Sequence, residues 1–361
     1  MILETRSARH NGHDVVQWQM QNASGASVAF MGFGATLLSV KVPDRTGQLD
    51  DVSFGHPCLA DYWSGRHFLG AVVGRFANRL AGGHFAIDGR DYQLDRNDEP
   101  NALHGGPDGF DRRLWAGAVV DTPDGEGLCL TLRSADGDQG YPGTLEASVT
   151  CVWTADNRLI TDFAATSDEP SPINLLLHAY WNLAPERGGI GDHRLEIAAD
   201  AYLPVDRGGI PTGELRPVAA TPFDFRQPRR LADVLRTLQA DSGATGYDHC
   251  WVIAGTGLRR AAILSHPGSG RTLTIETDRP GLQLYTANHF DAAIPARPGR
   301  TAAPHCAVAL ETQAFPDAPN QPLFPDAIVR PGTTWRSRTV YCFGLSDPDP
   351  GVAQAIAPGP T

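Results

Sequence analysis

Glu311 ends the apolar run Ala307-Val308-Ala309-Leu310, and a carboxylate closing a buried strand costs desolvation unless it is paired or used. Three other segments carry groups suited to chemistry. His178 lies inside NLLLHAYWNL (174–183), where a satisfied core histidine is the plain alternative. His104 precedes Gly105-Gly106, a pair that lets backbone approach a ligand closely. Asp248 sits in Tyr247-Asp248-His249 after a polar loop. The segment GRFANRL (74–80) sets Arg75 and Arg79 among apolar residues, and either arginine equally fits a surface role with its stem laid on a core. Carboxylates and imidazoles move protons near neutral pH, and a guanidinium grips two oxygens without changing its own protonation.

Other chemistries find no support. The 12 histidines include no H-x-H or H-E-x-x-H, and the six cysteines form no C-x-x-C, so no metal site is expected. The glycine-rich pieces match neither a P-loop nor G-x-G-x-x-G, so no nucleotide cofactor is expected. Lys41 is the sole lysine, which excludes Schiff-base chemistry elsewhere. A net charge of −11 without a basic run argues against nucleic acid and anionic membranes as partners, and permits a small neutral substrate. The scattered cysteines read as thiols. With no signal-peptide-like start and no apolar stretch of 18 residues, a cytoplasmic protein is expected.

The elements that must position these groups read as strands. With 39 glycines and 28 prolines the chain is too rich in turns for a helical bundle. Val16, Trp18 and Met20 alternate with polar residues, as do Leu38, Val40 and Val42, and Leu128, Leu130 and Leu132. Phe85 and Ile87, then Asp88-Gly89, then Tyr92 and Leu94 spell a hairpin with a type I′ turn. Helical spacing is convincing once, at Leu231, Val234, Leu235 and Leu238. Strands do not alternate with helices, so the expected class is all-β, a large antiparallel β sandwich with few short helices. Residues 1–345 are expected to form one catalytic domain and the Pro/Ala-rich 346–361 a poorly ordered tail.

Taken in order, GRFANRLAGG (74–83), NALHGG (101–106), DGDQGYPG (136–143), HAYWNL (178–183), YLPVD, PTGEL and TPFDFR (within 202–226), YDH (247–249) and LETQAFPDAPNQPLFP (310–325) resemble the aldose 1-epimerase, or galactose mutarotase, family. The resemblance runs from about residue 34 to residue 343 and implies a galactose mutarotase-like supersandwich. It also implies His178 as general acid and Glu311 as general base. Arg79, His104 and Asp248 take sugar-positioning places, with Asn78, Gln313 and Tyr180 as further substrate-binding residues, and no metal or cofactor is involved. Where the family shows Asn-Leu-Thr-Asn-His before Ser-Tyr-Phe-Asn-Leu, this chain has Leu176 and Leu177 for the Thr and Asn, and Ala179 and Trp181 for the Ser and Phe.

The activity so implied is interconversion of the α and β anomers of a free aldose by ring opening and reclosure, with a monosaccharide as partner and a monomeric or homodimeric enzyme. One acid and one base flanking the anomeric centre suffice, and no covalent intermediate is needed. A cationic His178 at neutral pH would need a carboxylate, Asp248 or Glu311, to hold its pKa up. The expected profile is then bell-shaped, with a basic limb that disappears in His178→Asn. Trp181, Tyr180 and Phe315 are candidates for an apolar wall against the sugar or for plain core. The competing readings are a glycoside hydrolase using Asp248 and Glu311, a non-catalytic carbohydrate-binding protein, and a relative acting on sugar phosphates.

Overall fold

A computed structural model describes residues 2–346, so the expected tail from residue 347 onward lies outside the described residues. Strands dominate because the period of two noted above is realised along most of the chain. In Leu145–Trp153, for example, Leu145, Ala147, Val149 and Cys151 point into the core while Glu146, Ser148 and Thr150 face away.

Three antiparallel sheets share that core. The largest has nine strands in the order Ala116–Thr122, Gly125–Ser134, Leu145–Trp153, Arg158–Ser167, Trp335–Leu345, Arg271–Thr277, Arg259–Ser265, Arg194–Ile197 and Arg229–Arg230. The second has six, in the order Tyr180–Trp181, Val308–Gln313, Gly281–Tyr285, Asp248–Val252, Ala201–Leu203 and Arg216–Pro217. A five-stranded sheet follows chain order from Ile2–His10 to Leu49–Asp51. One continuous apolar cluster joins Trp18 and Val28 of the five-stranded sheet, Leu130, Val149 and Phe163 of the nine-stranded one, and Trp251, Leu282 and Leu310 of the six-stranded one. Burial of this area from water is the main stabilising term.

The hairpin at 84–93 forms as expected, with Asp88 and Gly89 both at positive φ. The helix Leu231–Ser242 buries Leu231, Val234 and Leu238 and ends at Gly243 in the left-handed region. No helix among the described residues is long and apolar enough to cross a membrane.

Two close approaches require glycine. A Cβ on Gly70 would stand 2.1 Å from the Leu37 carbonyl oxygen, and one on Gly105 only 1.7 Å from that of Gly74. The backbone that Gly105 admits is therefore the chain's own segment beside Arg75, and not a ligand.

Candidate active site

Glu311 lies on the second strand of the six-stranded sheet. Its strand, Val308–Gln313, is buried at every position and flanked on one side by Gly281–Tyr285, where Gln283 pairs with Glu311. On the other side runs Tyr180–Trp181. His178 lies in the two-residue gap between this strand and Leu176–Leu177, which pairs with Val72–Val73. Two short pairings thus fix the histidine from both ends, and its Nε2 comes 3.5 Å from Glu311 Oε2. Both side chains are at most 5% exposed.

Both line a cavity of about 260 Å³, together with Asn78, Arg79, His104, Tyr180 and Asp248. Arg79 comes from a two-residue strand paired with Ala102–Leu103, which brings it near His104. Its Nε donates to Asp98 at 2.7 Å, and its Nη1 lies 3.6 Å from Asp248. Asp248 also accepts from the Gln283 amide at 2.6 Å. The Asn78 backbone N–H donates to His104 Nδ1 at 3.0 Å, so the neutral imidazole carries its proton on Nε2. His104, His178 and Glu311 bring possible ligand atoms within 4.8 Å of one another. With His104 Nε2 protonated and Nδ1 engaged, only two free donors remain, which is a poor metal site.

Gln313 is not among the lining residues. It is fully buried behind them, where its amide donates to Gln283 at 3.3 Å and its oxygen accepts from Asn78 at 3.5 Å. Trp181 and Phe315 are likewise core residues: the first packs on Tyr341 and Phe343, the second on Phe324. The apolar wall comes instead from Tyr180, Tyr285, Phe290, Ile294 and Phe68. Phe68 and Asp98 escaped the sequence reading because they lie in irregular segments where no period marks a buried face. Their nearness to GRFANRL and NALHGG was the only signal. Of the two arginines in GRFANRL, Arg75 is structural. It is 2% exposed and donates to the carbonyls of Ser134, Ala135, Pro142 and Gly143.

Burial decides the ionisation of the pair. It pushes His178 down to about 4, against the expectation that a carboxylate would hold the imidazole charged. Burial also pushes Glu311 well above the usual carboxylate range; Asp248 adds to this and Arg79 opposes it. His104 is pushed well below its ordinary value by burial, then by His178 and Arg79. Glu311 Oε2 and His178 Nδ1 have no hydrogen-bond partner within the protein. The arrangement presents an imidazole and a carboxyl, both able to move protons, on one cavity, with a guanidinium and a second imidazole N–H as donors.

Residues 286–307 lead from Gly281–Tyr285 to Val308–Gln313 by way of the cavity, which His289, Phe290 and Ile294 help to line. This connection is anchored to the end of the five-stranded sheet. Arg297 bonds to Asp51 and the Leu38 carbonyl, and Arg300 to the carbonyls of Asp51 and Ser53.

Comparison with known proteins gives the family. Residues 16–342 match the family described as aldose 1-epimerase. The chain is 39% identical over 338 residues to galactose mutarotase of Homo sapiens, covering 93% of this chain and 96% of that protein. It is 38% identical over 347 residues to aldose 1-epimerase of Escherichia coli K12, covering 95% and 99%. Among solved structures, an aldose epimerase homologue from C. elegans superimposes with a TM-score of 0.83 at 30% identity, covering 91% of this chain and 98% of that one. A galactose 1-epimerase from Lactobacillus acidophilus gives 0.84 at 27%, covering 96% and 99%.

Proposed function

The chain belongs to the aldose 1-epimerase family and, as an isomerase of that family, interconverts the α and β anomers of a free aldose; we propose that His178 and Glu311 carry the proton transfers. The observation that supports this is their approach to 3.5 Å in the lining of one cavity from positions far apart in the chain. Burial disfavours the charged forms of both groups in the empty cleft, pushing the imidazole down and the carboxylate up. Hydroxyls of a sugar bound in the cavity beside them favour the imidazolium–carboxylate form by hydrogen bonding to its charges.

In that form His178 gives its proton to the ring oxygen while Glu311 takes the proton of the C1 hydroxyl. The C1–ring oxygen bond breaks and an aldehyde forms. After rotation about C1–C2 the same two groups, with roles reversed, close the ring on the other face. Arg79, His104, Asn78 and Asp248 orient the sugar, and Tyr180 gives an apolar surface beside the imidazole, stacked at 5.0 Å. Gln313 acts from behind, through Asn78 and Gln283.

The substrate is neutral. Arg79 is paired with Asp98 and Asp248, and Arg66 with Asp111, so neither cavity arginine is left for a phosphate. Asp248 is held by Arg79 and Gln283 and is not a second free carboxyl for glycoside hydrolysis. The same reading has residues 1–345 as one catalytic domain, cytoplasmic, monomeric or homodimeric, and without nucleic-acid or membrane partners. The acidic charge and free cysteines support it.

Polarimetry on freshly dissolved α anomers tests the assignment. Wild type should equilibrate at least one aldose faster than buffer, and Glu311→Gln should be slower by about 10²–10⁴-fold, the usual worth of a positioned base. A Gln variant as fast as wild type would remove Glu311 from the reaction.

A further inference from the structure

Phe68 is a non-glycine residue with φ +54°, in the left-handed region that a bulky side chain seldom occupies. Such a conformation persists only where surrounding contacts enforce it, and it often marks a functional constraint. The contacts here are specific. The Phe68 ring stacks on His178, with centroids 5.8 Å apart and planes 21° apart, and packs against His104 at 4.6 Å. Behind it lies an apolar cluster of Val73, Ala77 and Leu176. Leu176 is one of the residues standing where the family has polar side chains before its histidine.

Both ends of the segment are tied down. The Arg66 guanidinium lies 4.8 Å from the Phe68 ring and grips the buried Asp111 carboxylate with two bonds, at 2.9 and 3.0 Å. Just beyond Phe68, the Gly70 N–H donates to the His178 carbonyl at 2.9 Å, and the His178 N–H donates to the Ala71 carbonyl at 2.8 Å. One short stretch of chain therefore grips the backbone of His178 and lays a ring against its imidazole.

We propose that Phe68 is a positioning residue for the anomer interconversion: seated on Leu176 and clamped through Arg66, its ring fixes the imidazoles of His178 and His104 in their crossed arrangement within the cavity. The inference rests on His178 being a proton-transfer group. It assigns the left-handed backbone a purpose, since in that conformation the ring meets both histidines while Gly70 and Ala71 hold His178. It also gives Leu176 a role, because an apolar seat for Phe68 takes over support that polar neighbours would otherwise provide.

The test compares Phe68→Gly, Phe68→Ala and Phe68→Tyr with His178→Asn by polarimetric kinetics. It also follows the histidine ring nitrogens by NMR in 15N-histidine-labelled protein. Glycine accepts the backbone conformation without strain, so Phe68→Gly separates loss of the ring from loss of the fold. Both truncations should lower kcat by about tenfold or more with KM changed less than about threefold, and Phe68→Tyr should restore kcat. In the truncated variants the His178 ring should titrate closer to free imidazole and His104 should lose its single tautomer. The proposal is overturned if Phe68→Gly keeps wild-type kcat while His178→Asn loses it, or if the whole loss lies in KM with the ring signals unmoved. A His178→Asn enzyme with wild-type turnover would instead defeat the acid assignment, and this inference with it.

Discussion

At the scale of single residues, the His178–Glu311 pair titrates as a unit, so the limbs of its pH profile belong to both groups. Acidification protonates the imidazole, already pushed down to about 4, and leaves no base. Alkalinisation deprotonates Glu311, whose pKa burial raises, and leaves no acid. The kcat/KM profile should therefore be bell-shaped, with an acid limb well below the ordinary histidine value near 6.5. An acid limb at 6.5 in the wild type would contradict a buried, neutral imidazole. His178→Asn should lose about 10²–10⁴-fold in kcat. The sequence exposed these two residues for different reasons. Glu311 stood out because a carboxylate breaks an apolar run, whereas His178 looked like an ordinary core histidine until the ordered motifs joined it. Its protonation could not be read at all, because burial, which outweighs the adjacent carboxylate, is a property of the whole enclosure.

At the scale of elements, irregular segments do most of the positioning and were the least legible. Strand periodicity marked 128–132 within Gly125–Ser134, and the apolar run 307–310 at the start of Val308–Gln313, since alternation or continuous burial follows from sheet geometry. It could not say which sheet each strand joins, so the five-stranded sheet was not separated beforehand. Nor could it distinguish Arg75 from Arg79, four residues apart in one motif. Arg75 binds segment 134–143 to segment 74–79 through carbonyls that no other side chain satisfies in its place. Burial pulls its pKa down to about 10, so it stays cationic at neutral pH. Arg75→Met should destabilise the protein by at least ~2 kcal/mol, because it leaves several buried acceptors unpaired. Urea unfolding against wild type measures this, and an unchanged midpoint would refute it. Gly105→Ala should be harsher still, since backbone stands only 1.7 Å from the added carbon; failure to accumulate as soluble protein is the expected readout.

At the scale of the whole molecule, buried histidines dominate the response to acid. Burial lowers His56, His67, His104, His178, His193 and His249. A depressed histidine binds its proton more readily unfolded than folded, so its stabilisation is complete above about 6.5 and is lost as pH falls toward the folded value. His193, pushed to about 3 by burial, contributes a slope of roughly 1.4 kcal/mol per pH unit across most of that window. Glu311, Asp111 and Asp317 are raised by burial and act in the opposite sense, but they are fewer. Thermal unfolding should therefore show Tm falling steadily from pH 7 to pH 5, and His193→Gln should flatten that dependence. A Tm independent of pH across this range would show that the buried histidines do not govern acid stability.

The Arg297 and Arg300 anchors tie the connection that helps to line the cavity to the last strand of the five-stranded sheet at the start of the chain. The opening stretch of the chain is thus a foundation for the entrance, although it supplies neither proton-transfer group. A graft that transplanted only the two reacting side chains and their central strands into another sandwich would carry over the reagents without the vessel. Asp51 joins foundation and entrance, because it bonds to both arginines of that connection.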